Sequence, residues 1–145
     1  MNISVVIPIF NELESLPELK SELIQNLKIY KNWEVIFIDD GSSDGSTEWL
    51  IDLASKNENF KLIQFYRNYG KSAALNEGFK SASGDYVITM DADLQDDPAE
   101  IKNLIGMLNK GWDLVSGWKK NRLDPLNKRI PVSYTHLTLP TIVGV

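Results

Sequence analysis

The sequence predicts an α/β fold, a mostly parallel sheet with helices on both faces. Three observations point there. Short β-branched runs alternate with stretches of helical period from Ile3 to Ser116. The runs are nearly all apolar, as strands covered on both faces are. Polar, turn-rich loops follow the second and fourth runs, at the sheet edge where open α/β folds bind ligands.

Ile3 to Ile9 is the first strand, broken only by Ser4 and Pro8. Asn11 is placed as the cap of a helix whose apolar face is Leu13, Leu16, Leu19, Leu23 and Leu27. Glu34 to Ile38 is the second strand, and Asp39-Asp40-Gly41-Ser42-Ser43-Asp44-Gly45-Ser46 the loop after it. Its serines are expected to cap a helix over Thr47 to Lys56. Lys61 to Tyr66 is the third strand, Asn68-Tyr69-Gly70 a turn, and Lys71 to Ser81 a helix. Asp85 to Met90 is the fourth strand, followed by a polar loop over Asp91 to Asp97 in which Asp96 and Asp97 cap the next helix. Pro98 suits a first helical turn, Ala99 to Asn109 the helix, and Asp113 to Ser116 a short fifth strand. Crossovers are expected to be right-handed.

Composition narrows the function classes. The chain of 145 residues is 43% hydrophobic and 24% charged, which describes a globular chain able to bury a core. With no Cys, disulfides, thiolate zinc sites and cysteine nucleophiles are excluded; with one His, so are multi-histidine metal sites. The net charge of −5 argues against nucleic-acid binding but not against a phosphorylated small molecule held through a cation. No run is long enough to span a membrane, and no basic leader precedes the first strand. The expected location is cytoplasmic, with peripheral contact at the cytoplasmic face of a membrane compatible with it. Lys119, Lys120, Arg122, Lys128 and Arg129 form a local basic stretch suited to an anionic lipid phosphate, or else a solvated connector.

The last residues depart from this pattern. Residues 132–145 have neither helical period nor strand alternation and lose the charged residues of the earlier helices. They read as a non-native tail of the kind left by translated adapter sequence, with a natural β-prone tail as the alternative, so 1–131 is taken as the domain.

The strongest chemical feature is Met90-Asp91-Ala92-Asp93-Leu94-Gln95-Asp96. In extended backbone residues two apart share a side, so Asp91 and Asp93 can aim at one point beyond the strand, with Gln95 continuing that face. Two carboxylates and an amide oxygen are hard ligands that suit Mg²⁺ or Mn²⁺. Asp39 and Asp40 can accept hydrogen bonds from a base or a ribose, although Asp-Gly-Ser turns are common. Phe10 can stack on a flat base, and Glu12 can accept hydrogen bonds; on these residues alone a core aromatic beside a helix cap is the plainer reading. Arg67 and Lys71 put cations around a flexible turn. Gly70-Lys71-Ser72 is not a phosphate loop, because the first glycine of that motif falls on Phe65. An EF-hand read from Asp91 fails at Lys102.

Taken together, these motifs resemble the family 2 glycosyltransferases. The matching runs are Val5 to Glu12, Ile38 to Ser46, Asn68 to Gly78, and Gly84 to Tyr86 leading into Asp91 to Pro98. Asp91-Ala92-Asp93-Leu94-Gln95 and Val115-Ser116-Gly117 are most similar to the polyprenyl- or dolichyl-phosphate sugar transferases of that family. The resemblance implies the Rossmann-like GT-A nucleotide-sugar-binding fold, here incomplete at the C-terminus. It implies a donor site at Pro8, Phe10, Glu12, Ile38, Asp39, Asp40, Gly70, Lys71, Asp91, Ala92, Asp93 and Lys119, with catalytic Asp91 and Asp93. It also implies Mg²⁺ or Mn²⁺ at Asp91, Asp93 and Gln95. Lys119 stands where the family often has Arg, a more directional partner for a diphosphate.

The implied reaction moves a sugar, with inversion, from a UDP- or GDP-sugar to an acceptor, expected to be a polyprenyl phosphate. A hydroxyl acceptor needs a general base, whereas a phosphate monoester is largely ionised at neutral pH. His136 lies in the tail, and no strong base candidate follows the Asp91–Asp93 segment. A saccharide-hydroxyl acceptor with its base beyond this chain, or a fragment that binds donor without turnover, are the alternatives. A nucleotidyltransferase ranks below them, because Phe10-Asn11-Glu12-Leu13 stands where those enzymes carry a glycine-rich basic loop.

Overall fold

The computed structural model describes residues 2–111, 115–116 and 141–144. Its strands are β1 (Asn2–Ile9), β2 (Asn32–Asp39), β3 (Phe60–Gln64), β4 (Tyr86–Thr89), β5 (Val115–Ser116) and β6 (Thr141–Gly144). Its helices are α1 (Leu16–Leu27), α2 (Ser46–Lys56), α3 (Lys71–Ser81) and α4 (Ile101–Asn109), the last preceded by a 3₁₀ turn at Pro98–Glu100. Every observed pairing is parallel, in the order β3-β2-β1-β4-β6-β5. Thr141–Gly144, from the segment set apart above, pairs with β4.

Why these residues make a sheet follows from what covers them. Ile3, Val5, Ile7 and Ile9 of β1 share one core with Leu16, Leu19, Leu23 and Leu27 of α1, Leu50 and Leu53 of α2 and the apolar face of α4. Val6, Ile36, Ile38 and Val87 face the other way, onto Ala74 of α3. Side chains of a strand alternate between faces, so a strand covered on both must be apolar at every position. α3 lies unusually close to the sheet. A Cβ on Gly78 would overlap the side chain of Val6 and come 2.8 Å from Ile38 Cδ1.

The chain reverses its direction of travel across the sheet at β1. β2 and β3 lie on one side of it and β4 on the other. Such a reversal opens a crevice beyond the strands' carboxyl ends. Pro8 sits at its mouth. Ile9 O accepts from Asp40 N, so odd residues of β1 bond towards β2; Val6 O accepts from Met90 N, so even residues bond towards β4. Pro8 is the next even residue, beyond Thr89, the last β4 residue paired with β1. A residue with no N–H is tolerated where the neighbouring strand has ended.

Three loops lock together beside this crevice. Asn11 does not cap α1. It takes a left-handed conformation (φ 53°), its Oδ1 accepts from Ser43 N at 2.8 Å, and its N donates to Ser42 Oγ at 2.9 Å. Glu12 N and Leu13 N donate to Ser46 Oγ and Asp44 Oδ2, each at 3.1 Å. α1 starts later, with Ser15 at its cap position. The serines expected to cap α2 are used to bind the β1 loop instead, and Gly45 takes the cap position. On the other side, the Asp40 carboxylate accepts from Tyr69 N at 2.7 Å and Gly70 N at 3.0 Å. Gly41 has φ +80°, and a Cβ there would come 2.6 Å from Arg67 C and 2.7 Å from Asn68 N. Tyr69 is steadied by an edge contact with Phe65 and by the Arg67 guanidinium 4.9 Å above its ring.

The amino end of the sheet has its own polar joint. Buried Glu34 accepts from Ser4 Oγ (2.7 Å), Ser83 N (2.8 Å), Ser83 Oγ (2.9 Å) and Lys61 Nζ (2.5 Å). Burial pushes this carboxyl up, but the donors outweigh it and hold it at about 2. Below the ordinary carboxyl value of about 4.5, the unfolded state takes up a proton that the folded state refuses.

Two outcomes are expected. Glu34 contributes about 3 kcal/mol above pH 5, lost as the pH falls through the interval from about 4.5 to 2. Urea unfolding across that range should show the stability gap between wild type and Glu34→Gln closing; a gap of constant size contradicts the account. Gly41→Ala should lower stability by about 2 kcal/mol, since it adds both strain at positive φ and overlap with backbone. It should also speed amide exchange at Tyr69 and Gly70. Unchanged exchange at both would show that the loops do not depend on this contact.

Candidate active site

The crevice at the carboxyl ends of β1, β2 and β4 is a cleft of about 320 Å³. β1 and its loop contribute Pro8, Ile9, Phe10 and Glu12, and the end of β2 contributes Asp40. The loop after β3 contributes Asn68, Gly70 and Lys71, and the segment after β4 contributes Asp91, Ala92 and Asp93. These come from four places in the chain, and the sheet topology brings them to one wall.

Phe10 is 48% exposed at the cleft, so it is not a core aromatic. Exposed aromatic surface beside polar groups suits a stacked planar ligand. Asp40 is 4% exposed, and its carboxylate already holds the Tyr69–Gly70 turn. α3 starts at Lys71 in the lining, and a helix N-terminus there favours a negatively charged group. Lys71 Nζ lies 2.5 Å from Asp91 Oδ1.

The segment after β4 is curled, not extended. Asp91 N donates to Asp96 Oδ2 at 2.6 Å, which turns Asp96 into the loop; Asp97 alone takes the cap position, accepting from Ala99 N at 2.9 Å. Ala92 is buried, and its carbonyl accepts from Ser15 Oγ at 2.7 Å, tying the segment to the start of α1. Leu94 has φ 65°, and Asp93 Oδ1 accepts from Gln95 N at 3.1 Å. That left-handed residue ends the two-residue alternation, so Gln95 is exposed and outside the cleft lining.

Two further residues sit apart from the lining. Ile38 is fully buried under α3. Asp39 is fully buried as well, accepting from Ser42 N at 3.0 Å and from Thr47 Oγ1, so its carboxylate closes its own loop. Lys119 and the basic stretch with it lie outside the described residues. Asn68 lines the cleft although the sequence reading passed over it; its position two residues before Gly70 was the available signal.

Among the described residues the lining carries four carboxylates, Glu12, Asp40, Asp91 and Asp93, against the single ammonium of Lys71. The excess is felt at Glu12, whose pKa is raised first by burial and next by Asp93, with smaller contributions from Asp44 and Asp91 and opposed by the Ser15 hydroxyl. Among the described residues no three His, Cys, Asp or Glu side chains group closely enough to form a complete metal cage. Two carboxylates with open positions are the usual protein share of a Mg²⁺ or Mn²⁺ site completed by phosphate oxygens.

Comparison with known proteins agrees with this fold. Residues 4–139 match the family model described as glycosyl transferase family 2. An undecaprenyl-phosphate 4-deoxy-4-formamido-L-arabinose transferase of Pectobacterium atrosepticum is 46% identical over 131 residues, 89% of this chain and 40% of that protein. The enzyme of the same name from Salmonella choleraesuis is 40% identical over 144 residues, 98% of this chain and 44% of that protein. The chain thus spans about two fifths of the length of these relatives. Among solved structures, Staphylococcus aureus TarS 1-349 in complex with UDP superposes with a TM-score of 0.64 at 25% identity, covering 86% of this chain and 38% of that one. The Pyrobaculum calidifontis mannosyltransferase PcManGT, in complex with GDP-Man and Mn²⁺, gives 0.62 at 25%, covering 81% and 35%. With its parallel sheet, its cleft at the strand reversal and the match over most of its length, the chain belongs to glycosyl transferase family 2.

Proposed function

We propose that this chain forms the donor-binding part of a transferase that moves a sugar, with inversion and the help of a divalent cation, from a UDP- or GDP-sugar to a polyprenyl phosphate at the cytoplasmic face of a membrane. The carrying observation is the charge of the cleft. Among the described residues, four carboxylates face one ammonium, a balance that repels a diphosphate unless a cation joins it. Asp91 and Asp93 would hold that cation, and when bound it would neutralise charge developing on the departing nucleoside diphosphate.

The remaining lining suits the rest of a donor. Phe10 offers a face for the base, and Pro8 and Asp40 line the same cleft. Lys71 and the first turn of α3 face the diphosphate. The polyprenyl phosphate acceptor is supported by the names of the Pectobacterium and Salmonella relatives. It also agrees with the chemistry, since a phosphate oxygen attacks as an anion and asks no base of the cleft.

Calorimetry with UDP and GDP, with and without Mn²⁺, tests the reading. Mn²⁺ should tighten nucleotide binding at least about tenfold, or roughly 1.4 kcal/mol, and Asp93→Asn should remove the gain. Nucleotide binding of equal strength without the metal would sink the assignment of Asp91 and Asp93.

A further inference from the structure

The Lys71–Asp91 contact joins the one cationic side chain among the described residues of the cleft lining to a carboxylate assigned above to the divalent cation. Nζ and Oδ1 are 2.5 Å apart, with the side chains 60% and 34% exposed. An ammonium and a metal ion compete for that carboxylate, each weakening the other's hold on it. Their charges repel, and each draws its stabilisation from the same carboxylate.

We propose that Lys71 is a two-position cation, which holds Asp91 while the cleft is empty and moves to the diphosphate when donor and metal arrive. The inference rests on reading the cleft as a diphosphate and metal site. It adds a coupling that the reading does not contain. With no nucleotide present, a metal ion competes with Lys71 for Asp91, and the ammonium is left only the remaining carboxylates of a lining that the ion has partly neutralised. With nucleotide present, the diphosphate oxygens receive the displaced ammonium as the metal takes the carboxylate. The cleft then binds metal weakly alone and tightly together with nucleotide. By linkage the reverse holds by the same factor.

The geometry allows the movement. Lys71 is the first residue of α3, on a flexible four-carbon stem, and its side chain is more than half exposed. Its backbone is held by the turn that Asp40 anchors, so only the side chain need change position. A partly exposed ion pair is worth a few-fold in an equilibrium, enough to set an order of loading without locking the site.

The test compares wild type with Lys71→Met and Lys71→Arg, after thermal melts confirm equal folding. Titration of Mn²⁺ alone, followed by the loss of the free-ion magnetic resonance signal, should show Lys71→Met binding the ion about three- to tenfold more tightly than wild type. Titration of Mn²⁺ with UDP or GDP present should show the opposite. The factor by which nucleotide improves Mn²⁺ binding should fall several-fold in Lys71→Met and stay near wild type in Lys71→Arg. Unchanged or weaker binding of Mn²⁺ alone by Lys71→Met overturns the proposal, as does an absence of Mn²⁺ binding in both proteins. A wild type that binds Mn²⁺ but no nucleotide would instead overturn the proposed function. The Mn²⁺-only comparison would still report on Lys71 and Asp91.

Discussion

Asp40, the residue that follows β2, is 4% exposed, and the β3 side of the cleft takes its shape from what its carboxylate accepts. A buried carboxylate is costly unless donors surround it, and here the donors are the backbone N–H groups of Tyr69 and Gly70. The side chain therefore fixes the backbone of a loop from another strand. Gly41 completes the contact by letting the two loops touch backbone to backbone. Gly70 and Lys71 enter the cleft as a result. The β1 loop is fastened to the other flank of the same β2 loop through Ser42, Ser43, Asp44 and Ser46. The run Asp39 to Ser46 is thus the hub to which both neighbouring loops are tied.

This hub explains which parts of the site were legible in the sequence. Strands β1 to β5 were, because apolar runs bounded by turn residues have few other readings, and helix α3 falls at its observed limits; β6 was not, because its segment shows no strand alternation. The crevice at the strand ends followed from the alternation alone. The division of labour inside the Asp-Asp-Gly-Ser run did not. Asp39 and Asp40 are both buried at the end of a central strand, so strand alternation gives no reason to prefer either as ligand-facing. Asn11 was read as a helix cap because asparagine favours caps and left-handed turns alike; the partner that decides, Ser43 N, is 32 residues away. Gln95 was placed by extending a strand pattern past Leu94, whose left-handed backbone no leucine announces.

Electrostatics and topology pull in opposite directions at this cleft. The sheet reversal gathers the ends of β1, β2 and β4, each followed by acidic residues, so the fold concentrates negative charge where an anion is to bind. A surface with that many carboxylates is stable only because several are otherwise occupied. Asp39 and Asp44 close turns, Asp40 anchors a loop, Asp96 is turned into its own loop, and Asp91 meets Lys71. Much of the chain's net charge of −5 resides in carboxylates whose first task is structural.

The bare Cα of Gly78 carries a wider consequence. It sits two turns along α3 from the cleft, where the helix rests on Val6 and Ile38 with no room for a methyl group. The helix is a rigid lever with Lys71 at its far end, and the sheet is its fulcrum. A single carbon added there would press on Val6 and Ile38 beneath the helix that carries Lys71, although nothing in the cleft had been altered. Remoteness from the site is therefore a poor guide to harmlessness in this fold. The positions that tolerate least are those where the scaffold leaves no slack.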